Sequence, residues 1–68
     1  MKLGFIGTGE ITKAVVIGIL GSKLKFKKIY LSERNKKISS FLIKKNKKIQ
    51  IEKDNQLIID KSDWVFLA

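Results

Sequence analysis

Phe5-Ile6-Gly7-Thr8-Gly9-Glu10-Ile11-Thr12 is the stretch on which the fold turns. It follows the mostly apolar run Lys2-Leu3-Gly4-Phe5-Ile6, which reads as a central parallel strand, and it opens an amphipathic helix. Strand, paired glycines and helix in that order make the setting in which a glycine loop grips a dinucleotide. Gly7 lets the chain turn sharply out of the strand. Gly9 lacks a Cβ, so a pyrophosphate can approach the backbone. The helix that follows presents unpaired N–H groups and its positive dipole end to that anion. A tight strand-to-helix turn with no ligand would use the same glycines, with Glu10 favouring the helix N-terminus. The third motif position is Thr12, where Gly or Ala usually allows close packing, so Thr12 is expected to push the helix off the strand. Glu10 brings a carboxylate toward the phosphate position, which should weaken an anion there unless it points to solvent.

Working outward, the first helix runs from about Glu10 to Leu20. Ile11, Ala14, Val15, Gly18 and Ile19 recur at helical spacing, so this stripe is expected to face the sheet, with Gly18 marking a close approach and Gly21 the C-cap. Lys28 to Ser32 reads as a second strand. A second helix covers about Asn35 to Lys45, with Ile38, Phe41 and Leu42 on one face and Asn46 as a stop. Ile49 to Ile51 is a short third strand. Asp54 caps a brief helix holding Leu57 and Ile58, and Ser62-Asp63 breaks it. Trp64-Val65-Phe66-Leu67-Ala68 is a fourth, apolar strand. The alternation is βαβαβαβ. It predicts the first half of a doubly wound, Rossmann-like parallel α/β sheet in strand order 3-2-1-4. Because Ala68 falls at the end of the most apolar strand, the chain is expected to be a truncated N-terminal dinucleotide-binding domain, residues 1–68.

The totals bound the function. Sixty-eight residues allow one small domain with a limited core. Hydrophobic residues at 44% and charged residues at 31% mark a globular chain. There is no cysteine and no histidine, so disulfides and thiolate or imidazole metal sites are excluded, and we expect no metal. No apolar run nears the roughly 20 residues of a membrane span, and no signal peptide is evident, so the cytoplasm is the expected location. The net charge of +9 would suit nucleic acid or an anionic membrane. The lysines, however, are spread over every element, with no arginine cluster and no interleaved aromatics to stack bases. Neither nucleic acid nor membrane is the expected partner.

A second cofactor signal lies about 20 residues past the third motif position, at the end of the second strand. There stand Ser32, Glu33, Arg34 and Asn35. An acid there binds the two ribose hydroxyls of NAD. A serine with a nearby arginine binds the 2′-phosphate of NADP, and Arg34 is the only arginine in the chain. Alternatively Ser32 caps the second helix, and Glu33 and Arg34 are solvated.

Gly4-Phe5-Ile6-Gly7-Thr8-Gly9-Glu10-Ile11-Thr12-Lys13-Ala14 resembles the opening of pyrroline-5-carboxylate reductases, which read G-F-I-G-x-G-x-[ML]-A-x-A. Ser32-Glu33-Arg34-Asn35 resembles their S-x-R-[NS] segment. Asp54-Asn55, and further on Ser62-Asp63 with Trp64 to Ala68, is similar to their asparagine, short helix and strand ending in L-A. The resemblance implies that Ile6, Gly7, Thr8, Gly9, Glu10 and Ile11 line the pyrophosphate. Ser32, Arg34 and Asn35 would take the 2′-phosphate, Asn55 would reach the adenosine ribose, and Ala68 would approach the nicotinamide half. It further implies reduction of 1-pyrroline-5-carboxylate to L-proline in proline biosynthesis, with NADP(H) or, alternatively, NAD(H). The small-molecule substrate site and a homo-oligomer interface would belong to a C-terminal helical domain absent from this sequence. No catalytic residue is expected within these 68. Related β-hydroxyacid dehydrogenases and F420-dependent NADP reductases share the glycine loop. A degenerate, non-catalytic binding module with a basic surface is the remaining alternative.

Overall fold

The computed structural model describes every residue except Thr8, Arg34 and Ala68. Seven elements alternate: β1 (Lys2–Ile6), α1 (Glu10–Leu20), β2 (Lys28–Ser32), α2 (Lys36–Ile43), β3 (Ile49–Glu52), α3 (Asn55–Lys61) and β4 (Trp64–Leu67). The four strands form one parallel sheet in the order β3-β2-β1-β4, a Rossmann-like α/β fold. Parallel neighbours need crossovers, and the three helices supply them.

Registers are pinned at the strand ends by short contacts. Lys27 N–H donates to the Met1 carbonyl at 2.7 Å, which sets β2 beside β1 with Leu3 opposite Ile29. On the other flank Asp63 N–H donates to the Lys2 carbonyl, and the Asp63 carboxylate accepts from Lys2 N–H, both at 2.7 Å. This double clamp aligns β4 with β1, with Phe5 opposite Phe66.

Alternation along the strands divides the core. Leu3, Phe5, Ile29, Leu31 and Ile49 point to one face, where Val16 of α1 and Ile38 and Leu42 of α2 meet them. Gly4 and Tyr30 belong to the opposite face, under α3. A Cβ added to Gly4 would fall on Ser62 Oγ and Ile58 Cγ2, so α3 presses onto β1 where the strand has no side chain. The close helix-to-sheet approach therefore lies at Gly4. Gly18, expected to mark it, is exposed with open space around its Cβ position.

That difference reflects a shifted helix face. The expected stripe of Ile11, Ala14, Val15, Gly18 and Ile19 is not the buried one. Thr12 and Val16 are buried, with Ile19 and Leu20 packed beside them, while Ile11 is 74% exposed. Thr12 is the cause. Its Oγ1 donates to the Gly7 carbonyl at 3.1 Å, so the hydroxyl satisfies the turn it leaves and its residue turns inward. The expected displacement of the helix by Thr12 is thus replaced by a tether that rotates α1 by about one residue.

The helix ends follow their sequence signals closely. Gly21 closes α1, its N–H reaching the Ile17 carbonyl. Asn35 caps α2, its side chain accepting from Ile38 N–H, and Asp54 caps α3, accepting from Gln56 N–H. The second helix is shorter than expected, ending at Ile43, and Phe41 is half-exposed with Ser39 buried in its stead. The ammonium groups of Lys13 and Lys45 each lie 4.6 Å from the Phe41 ring centroid, which covers that ring with cations.

Candidate cofactor site

β1, β2 and β3 deliver their carboxyl ends to one edge of the sheet, and a cavity of about 430 Å³ opens there. Ligands of open α/β sheets bind outside the strand ends, and this volume lies in the range of about 300–1,000 Å³ usual for small-molecule sites. Ile6 and Gly7 line it from the end of β1, Ser32 and Glu33 from the end of β2, and Lys53 and Asn55 from the segment joining β3 to α3.

Gly7 has φ of 88°, a left-handed conformation that a side chain would strain, so the turn out of β1 requires glycine. Its N–H is already engaged: it donates to Ser32 Oγ at 3.0 Å. Ser32, buried at the end of β2, therefore braces the glycine turn from the neighbouring strand, and it does not cap α2, which Asn35 does. Gly9 stands at the N-cap of α1 in extended backbone, and nothing lies within 4 Å of the position a Cβ would take.

The three helix N-termini differ. α2 and α3 are each closed by a side-chain acceptor, whereas among the described residues no side-chain hydrogen bond caps α1. The leading amides of an eleven-residue helix, with their share of the helix dipole, are thus left to whatever anion approaches over Gly9. Glu10 occupies the first turn and is exposed, so its carboxylate stands in solvent.

Of the residues expected at the cofactor, Ile6, Gly7, Ser32 and Asn55 meet around the cavity. Gly9, Glu10 and Ile11 follow on the loop and first turn of α1. Asn35 spends its side-chain oxygen on Ile38 N–H. Thr8, Arg34 and Ala68 lie outside the described residues. Glu33 and Lys53 line the cavity without having been singled out as binding residues. Lys53 carries no motif, but strand pairing could have found it: Ser32 is opposite Glu52, so the next residues, Glu33 and Lys53, leave adjacent strands side by side. Among the described residues no group of His, Cys, Asp or Glu could hold a metal ion, and no helix is long and apolar enough to cross a membrane.

A glycine turn, an uncapped helix and a cavity over the strand ends fit a dinucleotide. Comparison with known families agrees: the family model described as NADP oxidoreductase, coenzyme F420-dependent, matches residues 2–68. The chain belongs to this family. No curated protein and no solved structure matches it.

Proposed function

We propose that this chain binds NADP(H) and presents it for hydride transfer. The observation that carries the reading is the contrast among helix N-termini: only α1, directly after the glycine turn, lacks a side-chain cap among the described residues. Bound NADPH would supply the hydride. The chain's part is to hold it, with backbone amides on the diphosphate, Ser32 keeping the Gly7 turn in place, and Asn55 at the ribose end of the cavity. Arg34, by resemblance, would pair with the 2′-phosphate as a planar, charge-assisted donor.

We further read the acceptor as 1-pyrroline-5-carboxylate, reduced to L-proline. The support is the ordered match of the glycine loop, the Ser32-Glu33-Arg34-Asn35 segment and the strand ending Leu67-Ala68. In this reading the substrate site and a homo-oligomer interface belong to a helical domain that follows in the full-length protein, which works in the cytoplasm. The description of the matching family names a second acceptor, coenzyme F420. Supplying each oxidised acceptor with NADPH and following NADPH absorbance separates the two.

Isothermal titration tests the binding itself. NADPH is expected to bind, and Arg34→Ala is expected to weaken NADPH by roughly tenfold or more, since a charge-assisted hydrogen bond contributes about 1.5–3 kcal/mol. NADH should change little. Equal losses for both cofactors would refute the 2′-phosphate role of Arg34.

A further inference from the structure

The cavity has a described cation that no motif accounts for. Lys53 lines it from the turn after β3, and it forms no ion pair with any described carboxylate. Four other lysines are engaged away from the cavity, Lys61 on Glu52, Lys13 and Lys45 on Phe41, and Lys48 on Phe26, and Lys53 is the lysine that lines the cavity. Beside Lys53, one strand over, Glu33 lines the same cavity. Neighbouring strands lie about 4.8 Å apart, so Lys53 and Glu33 leave the sheet side by side at the rim of the same cavity.

These two charges pull cofactor choice in opposite directions. A carboxylate at the end of β2 suits two free ribose hydroxyls, which can donate to it, and repels a phosphomonoester. An ammonium at the same corner attracts the phosphomonoester and offsets the carboxylate, while adding little to a neutral diol. The preference for a phosphorylated or plain ribose therefore depends on whether the cation is present.

Building on the cofactor reading above, we propose that Lys53 is a specificity-determining residue: it takes the 2′-phosphate of the dinucleotide from the β3 side and overrides the repulsion of Glu33. In this reading Lys53, from the turn after β3, adds a second cation to the one that the sequence resemblance assigns to Arg34. Lysine acts here as a point charge with rotatable donors, so the geometry demanded of it is loose and arginine can replace it.

The test is isothermal titration of NADPH and NADH against the full chain carrying Lys53→Gln or Lys53→Arg. Lys53 is exposed in a turn, so both variants should melt like the parent, which circular dichroism checks. Lys53→Gln is expected to weaken NADPH about tenfold and NADH less than about twofold, with Lys53→Arg close to the parent, in keeping with loss of one charged contact. The NADPH affinity of the parent should also fall more steeply with salt than that of Lys53→Gln. If the parent binds NADPH and Lys53→Gln binds it equally well, the assignment of Lys53 is overturned and the cofactor reading stands. If the parent binds neither NADPH nor NADH, both are overturned.

Discussion

β2 and β4 are both direct neighbours of β1, both parallel to it, both in continuous register, yet their side chains live in different surroundings. Ile29, Tyr30, Leu31 and Ser32 of β2 are all buried, whereas every residue of β4 is exposed, from Val65 at 36% to Leu67 at 79%. Hydropathy does not explain this, since Trp64-Val65-Phe66-Leu67 is the more apolar run. The layers above and below do. α1 and α2 cover the sheet from β1 toward β3 on one face, and α3 covers β1 and β2 on the other, so β2 is roofed twice and β4 is roofed by neither group. Backbone pairing decides which strand belongs to the sheet; helices decide which strand belongs to the core.

Truncating a side chain in each strand is the most forceful way to break this contrast. Leu31→Ala removes a fully buried side chain and is expected to cost about 2–5 kcal/mol of unfolding free energy. Phe66 stacks on Phe5 at 4.8 Å between ring centroids but is 43% exposed. Phe66→Ala should therefore cost about 1–1.5 kcal/mol, mostly the lost ring contact. Urea denaturation of both variants checks the pair. Equal losses would mean that β4 is as much part of the core as β2.

The contrast sharpens at Gly4, which lies between Tyr30 of β2 and Val65 of β4 in register and faces α3. Gly4→Ala would drive a methyl group into Ser62 Oγ and Ile58 Cγ2. Overpacking of this kind costs about 1–3 kcal/mol, below the deletion of Leu31 at its upper range. Adding Ser62→Gly should return part of that loss, because Ser62 supplies two of the three nearest atoms. Thermal melts of the single and double variants decide it, and a double variant no more stable than Gly4→Ala would place the clash elsewhere.

What the sequence made legible follows the same logic of local against distant causes. Strand identity, the 3-2-1-4 order, and the caps at Gly21 and Asp54 can each be read from the pattern of a few adjacent residues, whereas α2 stops at Ile43, short of the Asn46 stop. The buried face of α1 could not be. Ile11, Ala14, Val15, Gly18 and Ile19 form a sound apolar stripe, and its neighbour through Thr12, Val16 and Leu20 forms another, because the helix is apolar nearly all round. The choice between them falls to one hydroxyl bonding to the Gly7 carbonyl, a contact that spacing does not reveal. In the cavity the glycine turn announced itself, as only glycine meets its backbone geometry. Lys53 did not, since one lysine among many gains meaning only from the strand pairing that sets it beside Glu33.

The smallest expected effect concerns the doubly roofed side of the sheet, where α3 is tied to β3. Lys61 Nζ lies 3.0 Å from Glu52 Oε1 and Gln50 donates to the same oxygen at 2.6 Å. The hydrogen bond from Lys61 holds the Glu52 carboxyl below its ordinary range, with partial burial pulling the other way and Gln50 and the Lys61 charge lowering it further. A carboxyl whose folded pKa is depressed stabilises the fold above its unfolded value, about 4.3, and that contribution disappears as pH falls through the folded value. Urea midpoints taken well above and well below that pH should therefore drop further for the parent than for Lys61→Met, which lacks the pair at any pH. Parallel drops would show that the contact on this surface contributes nothing to holding α3, leaving Ile58 and the Gly4 approach to anchor it.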